Sequence, residues 1–172
     1  TSDFNPGVGT FNLTSVGSTD VFISKLDTSG NFVWAKSIGG TAVDYGKSLS
    51  VDDSGNVYSL GYFSGTSDFN PGVGFNYLTA AGSYDIFISK LDLSGNFVWA
   101  VRMGGLGWDS GSSITVDGSG NVYTTGYFEG TSDFDPGMGT YNLISAGGDD
   151  IFISKLDVSG NFIWAKRIGG AS

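Results

Sequence analysis

One phrase recurs three times in this chain, as Thr1-Ser-Asp-Phe-Asn-Pro-Gly7, Thr66-Ser-Asp-Phe-Asn-Pro-Gly72 and Thr131-Ser-Asp-Phe-Asp-Pro-Gly137. The step is constant, 131 − 66 = 66 − 1 = 65 residues. The text between the copies keeps the same step: Asp20 to Asp27 returns as Asp85 to Asp92 and Asp150 to Asp157, and Ser29-Gly-Asn-Phe-Val-Trp-Ala35 returns at Ser94 and Ser159. A fixed period of this size marks a repeat array, in which each unit buries its apolar face against its neighbours. The units are 1–65, 66–130 and an incomplete 131–172, read as one array over 1–172.

Composition narrows the class. The chain is 40% hydrophobic and 15% aromatic, enough for a packed core, and its 29 glycines come with abundant Ser, Thr, Asn and Asp. No stretch carries the i, i+3, i+4, i+7 apolar pattern of a helix, so an all-β fold is expected. Of the 17 acidic residues, Glu129 is the one Glu, and the rest are Asp, a residue of turns and cation loops. With no Cys and no His there is no disulfide, no thiol nucleophile, no Ser-His-Asp triad and no imidazole ligand. The net charge of −9 and the scatter of the eight basic residues leave no positive stripe for nucleic acid. No apolar run approaches the roughly 20 residues of a membrane-spanning helix, so membrane insertion is not expected.

Within one unit, Lys47 to Val51 and Val57 to Phe63 read as strands joined by the turn Asp52-Asp-Ser-Gly-Asn56. The turn chemistry is specific: the leading Asp accepts bonds from backbone N–H groups ahead of it, and Gly55 takes the left-handed conformation of a type I turn with a bulge. The same punctuation recurs at Asp27 to Asn31, Asp92 to Asn96, Asp117 to Asn121 and Asp157 to Asn161. Asp85 to Asp92 and Asn96 to Met103 supply a second strand pair, giving about four strands per period with one long connection, Ser64 to Tyr84. Runs such as Val21-Phe-Ile23 and Phe32-Val-Trp-Ala35 are apolar on both faces of a strand, so each sheet must be covered on both sides. Four-stranded antiparallel sheets covered by copies of themselves are propeller blades.

The run Val51-Asp-Asp-Ser-Gly-Asn-Val-Tyr58 with Gly61-Tyr62, followed by Asp85 to Asp92 and Ser94-Gly-Asn-Phe-Val-Trp-Ala100, resembles the bacterial β-propeller repeat called SBBP. The likeness covers nearly all of every unit, and the long connection with Asp-Phe-Asn-Pro-Gly departs from it. Leu26-Asp27, Gly30 and Trp34 also resemble an element of quinoprotein propellers, which implies shared blade packing and no quinone site. In blade phase the chain is half a blade (1–43) followed by two whole ones (44–108 and 109–172), since three units would need 3 × 65 = 195 residues and the chain has 172. About two and a half blades cannot close a ring of four or more. Further copies, or the rest of a longer repeat chain, are therefore expected to cover the open faces, and a β-solenoid is the alternative architecture.

Three sets of residues are candidates for function. Asp3 with Asn5, Asp68 with Asn70, and Asp133 with Asp135 place two oxygen-bearing side chains two residues apart before a Pro-Gly turn, a pattern suited either to weak calcium binding or to a loop that caps itself without metal. Trp34, Trp99 and Trp164 recur with the period and are read as packing between blades. Trp108, whose counterpart is Val43, joins Tyr45, Tyr84, Asp44 and Asp109 as a candidate ligand face, because in a propeller the connections that carry them emerge on one side. Asp44, Asp109, Asp149 and Asp150 are the acids a glycosidase would need, but none stands out as an unmatched pair. The expectation is a non-catalytic structural or adhesive repeat protein, bacterial and secreted or at the cell surface, that self-associates or binds partners through its blades. A calcium-dependent carbohydrate-binding module is the alternative, and a glycosidase stands third.

Overall fold

The computed structural model describes residues 1–171, and among them every regular element is a strand and every named pairing is antiparallel. The chain opens with a short hairpin, β1 (Ser2–Asp3) and β2 (Asn12–Leu13), then β3 (Val21–Leu26) and β4 (Phe32–Gly40). One four-stranded blade follows as β5 (Asp44–Val51), β6 (Val57–Phe63), β9 (Asp85–Leu91) and β10 (Phe97–Gly105), paired in that order. A second is built from β11 (Ser110–Val116), β12 (Val122–Asp133), β13 (Asn142–Leu156) and β14 (Phe162–Ile168). The first sheet holds only β3 and β4 of a blade, as half a blade would.

The five Asp-x-Ser-Gly-Asn turns form as their chemistry dictates. In the turn at Asp52, Oδ1 accepts the N–H groups of Ser54 (3.0 Å) and Asn56 (2.9 Å), and Oδ2 accepts Asn56 Nδ2–H at 2.8 Å. The glycines at the bulge, Gly30, Gly55, Gly95, Gly120 and Gly160, all have φ between 78° and 83°, which only glycine adopts without strain.

The long connection between the second and third strands is more than a loop. Within it β7 (Thr66–Asp68) and β8 (Tyr77–Thr79) form a small hairpin, hereafter a strap, whose first strand pairs with the end of the outermost strand of the preceding sheet, Gly39 with Asp68 and Gly40 with Ser67. The third unit repeats the pairing, Gly104 with Asp133 and Gly105 with Ser132, there as an extension of β12. The straps thus hydrogen-bond one blade to the next. Gly105 has no room for a side chain, since a Cβ would stand 2.0 Å from the Thr131 carbonyl oxygen.

Two apolar clusters lie between neighbouring sheets. Val21, Ile23, Trp34 and Ile38 of the first sheet meet Val57, Phe63, Phe87 and Leu91 of the second, with Phe69 of the strap. Leu60, Ile86, Ile88 and Met103 of the second meet Val122, Phe128, Phe152 and Leu156 of the third, with Phe134 of its strap. Phe69 and Phe134, the phenylalanines of the repeated Asp-Phe-Asn/Asp-Pro-Gly phrase, sit in the centre of these clusters, with ring centroids 5.3 and 5.0 Å from Phe63 and Phe87, and 5.4 and 4.9 Å from Phe128 and Phe152. Each such ring contributes about 3 kcal/mol through burial.

Candidate functional site: the strap and the junction it fastens

The strap has an inner and an outer side. On the inner side, beside the buried phenylalanine, Ser67 donates its hydroxyl to Asp44 Oδ1 at 2.5 Å, while Asp44 Oδ2 accepts the Gly40 N–H at 2.9 Å. In the next unit Ser132 donates to Asp109 Oδ1 at 2.7 Å and Gly105 N–H to Asp109 Oδ2 at 2.7 Å. One carboxylate therefore ties together the first strand of a blade, the end of the preceding blade and the strap. Both carboxylates are buried, Asp109 completely. Burial pushes the Asp109 carboxyl up to about 6, against its hydrogen bonds and aided by the negative charge of Asp85, and burial moves Asp44 in the same direction. The ligand-face expectation for Asp44 and Asp109 does not hold, because both are consumed in fastening blades and neither reaches the surface. Asp85 and Asp150 are likewise buried and paired with Arg102 and Arg167.

The loop at the outer end of each strap caps itself. Asp68 Oδ1 accepts the N–H groups of Asn70 (3.0 Å) and Asn76 (2.8 Å), and Asn70 Oδ1 accepts Gly72 N–H at 2.9 Å. Asp3 and Asn5 repeat the arrangement, as do Asp133 and Asp135. The Oδ1 atoms of these side chains are thus held by backbone N–H groups, the arrangement of a loop that caps itself. Among the described residues no three acidic side chains converge in a metal-sized cluster.

What the capped loops hold out is apolar. Val8, Val73 and Met138, each flanked by glycines, are fully exposed at the tips of the three straps. At the second tip Gly74 takes a φ of 107°, a conformation that favours glycine, and at the third a Cβ on Gly139 would lie 2.2 Å from Asp135 Oδ2. Along the second strap Phe75 and Tyr77 are exposed and stacked, with ring centroids 5.3 Å apart and planes within 9°. Sequence reading passed over this pair. Its signal is a shift of phase, since units one and three read Gly-Thr-Phe-Asn and Gly-Thr-Tyr-Asn where the second reads Gly-Phe-Asn-Tyr. In those units Phe11 and Tyr141 point inward onto Phe32 and Phe162, 4.8 Å away in each case.

The aromatic residues singled out from sequence do come together. Tyr84 lies 5.3 Å from Trp108 and Tyr62 lies 5.1, 5.3 and 6.3 Å from Tyr45, Tyr84 and Trp108. Tyr45 and Trp108 are part-exposed, and Lys47 Nζ stands 5.1 Å from the centre of the Tyr62 ring. Tyr62, the buried centre of the group, was not anticipated. The periodic tryptophans act at the rim of the junctions: Trp34 Nε1–H donates to the Leu93 carbonyl at 3.2 Å and Trp99 Nε1–H to the Val158 carbonyl at 3.1 Å, each in the turn of the next blade.

Comparison with known proteins agrees with this architecture. Residues 98–127 match the SBBP β-propeller repeat family. The chain is 28% identical over 176 residues to an uncharacterised WD repeat-containing protein of Acanthamoeba polyphaga mimivirus, covering 95% of this chain and 13% of that protein. It is 30% identical over 145 residues to the regulatory protein FlaEY of Caulobacter vibrioides, covering 84% of this chain and 15% of that one. The chain thus spans less than a sixth of the length of either relative.

Proposed function

We propose, for a chain whose residues 98–127 are a β-propeller repeat, that it is a non-catalytic contact array: a structural or adhesive segment, bacterial and displayed outside the cell, that binds through the outer side of its straps. The observation that carries this reading is the threefold display of a fully exposed apolar residue, Val8, Val73 and Met138, on loops stiffened by their own hydrogen bonds. Exposed apolar side chains held at a fixed repeat suit partner contact, and a loop ordered in advance loses little entropy on binding. Three equivalent tips multiply a weak contact. The buried acids argue against hydrolysis, because Asp44 and Asp109 have their oxygens engaged by Ser, Gly and blade backbone instead of facing a substrate.

A second reading, binding of neutral polysaccharide, is favoured by the stacked Phe75 and Tyr77 and by the part-exposed Trp108 and Tyr45. Both readings are tested by retention of the purified chain on insoluble cellulose and chitin and on immobilised extracellular matrix protein, with and without chelator. The triple variant Val8→Ser, Val73→Ser, Met138→Ser is expected to lose retention at least tenfold on protein, whereas Phe75→Ser with Tyr77→Ser abolishes retention on polysaccharide. Retention of both variants at the wild-type level overturns the strap-face reading, release of soluble sugar from either polymer overturns the non-catalytic one, and loss on chelation restores calcium.

A further inference from the structure

We infer that the cavity between the second and third blades, at the turn end of the molecule, binds a single neutral sugar ring, with the Lys90 ammonium as its principal donor. The cavity lies away from the strap face, since β6 runs from Val57 beside the turn to Phe63 before the strap, and it stands whatever that face binds.

The site grows out of a row of three side chains across the second blade. Register pairs Lys90 with Tyr58 on one side and with Trp99 on the other, so the three share one face of the sheet. That face looks onto the third blade, where Trp99 reaches the Val158 carbonyl. Tyr58 and Trp99 have ring centroids 6.0 Å apart, and Lys90 Nζ stands 4.8 Å from the centre of the Tyr58 ring. Lys90 is only 7% exposed. A buried ammonium carries three donors and needs acceptors for them. Its counterpart Lys25 has one, the Leu93 carbonyl at 3.1 Å. At Lys90 the matching carbonyl of Val158 serves Trp99 alone, and among the described residues the ammonium enters no ion pair and meets no hydrogen-bond acceptor. The row recurs in the third blade as Tyr123, Lys155 and Trp164, with Lys155 Nζ 5.0 Å from the centre of the Tyr123 ring.

The cavity that Lys90 faces holds about 230 Å³ and is walled by the turns at Asp52 and Asp117 and by Val158. That is below the roughly 300 Å³ at which sites for drug-sized molecules begin, and it suits one ring. Asp52 and Asp117 are held by their own turns, with Oδ1 on backbone N–H groups and Oδ2 on an Asn amide and on the Tyr58 or Tyr123 hydroxyl at 3.2 Å. They lend the cavity charge more than free lone pairs. Asp53, Ser54 and Ser119 also line it and are exposed. Three carboxylates against one ammonium turn away an anion, and the ammonium turns away a cation. A sugar meets both demands without net charge, because a hydroxyl accepts from Lys90 while its neighbour donates to Asp53. The part-exposed Val158 offers an apolar surface to the C–H face of the ring.

Saturation-transfer NMR on the whole chain, with glucose, galactose, mannose and N-acetylglucosamine as free probes, tests the site. At least one sugar is expected to receive transfer. Lys90→Met keeps the apolar stem and removes the donors, and is expected to weaken binding about tenfold, as loss of one hydrogen bond to a charged group does. Gly118 is an exposed lining residue at which a Cβ meets nothing within 4 Å, so Gly118→Phe closes the cavity from outside and is expected to abolish transfer. Circular dichroism shows that each variant keeps the wild-type fold. Phe75→Ser with Tyr77→Ser is expected to leave transfer unchanged, which separates this site from the strap face. No transfer to any of the four sugars overturns the inference, as does transfer that Gly118→Phe leaves at the wild-type level.

Discussion

Ser132 gives its hydroxyl to Asp109 at 2.7 Å, and that bond joins a strap to the first strand of its own blade at the point where both meet the preceding one. The same relation holds between Ser67 and Asp44. Ser132→Ala leaves a buried carboxylate short of a donor, so a loss of about 2 kcal/mol is expected. Chemical denaturation checks this, with Ser119→Ala, an exposed turn serine, as the control expected to change stability by less than about 0.5 kcal/mol.

The raised carboxyls impose a direction on pH dependence. Asp109 sits near about 6 when folded against an ordinary 3.8, so the folded state holds its proton more tightly. Its favourable contribution is complete below the unfolded value and is lost as pH rises through the folded one. Asp117, held down at about 2 by Asn121, works the opposite way: its contribution is present above 3.8 and lost as pH falls. Urea midpoints are therefore expected to fall both in acid, below about pH 4, and between about pH 4 and pH 6 as pH rises. Asp44→Asn with Asp109→Asn is expected to flatten the second fall and to leave the first, which the same midpoints measured on the variant will check.

Gly126 and Gly61 lie in the second strands of their blades, paired with Gly111 and Gly46 where the register of the first strand shifts. A Cβ at Gly126 would stand 2.0 Å from the Ser110 carbonyl oxygen and 2.8 Å from the Phe152 ring, and at Gly61 1.8 Å from that of Tyr45. Gly126→Ala is expected to cost about 3 kcal/mol or to prevent the blade from forming. Gly118→Ala, which meets nothing within 4 Å, is expected to be tolerated in the same thermal melt.

Trp99 and Trp164 hold equivalent positions in different surroundings. Trp99 donates to Val158 across a junction, and its ring lies over Gly160. Trp99→Phe is expected to lose about 1 kcal/mol with that bond, and Trp164→Phe to change the stability of the isolated molecule less. Denaturant midpoints of the two variants at low protein concentration are the check.

The blades were legible because their signals are local. An Asp-x-Ser-Gly-Asn turn sets its own geometry, and the strands beside Gly55 or Gly95 inherit register from it. The association of Tyr45, Tyr84 and Trp108 was legible from their place in the connections. The strap was not: β7 and β8 are three residues each, too short for a period, and their pairing partner lies in the preceding unit. The role of Asp44 and Asp109 was hidden for the same reason, since nothing at those positions distinguishes a buried acid from a surface one until Ser67 and Ser132 arrive from 23 residues away. β5 also begins at Asp44 instead of Lys47, because an irregularity between Gly46 and Ser48 interrupts the alternation that marks a strand.

The most direct measurement of whether the straps fasten the blades is the unfolding free energy of Phe134→Ala beside that of Phe4→Ala. The two residues share a place in the repeat, but Phe134 is 0% exposed between two blades whereas Phe4 packs on Phe22 at the open end. If the strap phenylalanine is the plug of the junction, Phe134→Ala loses about 3 to 5 kcal/mol and Phe4→Ala about 1 kcal/mol or less in the monomer. Equal losses, or a Phe134→Ala variant as stable as the wild type, would mean that blade packing holds without the strap and would contradict the central claim.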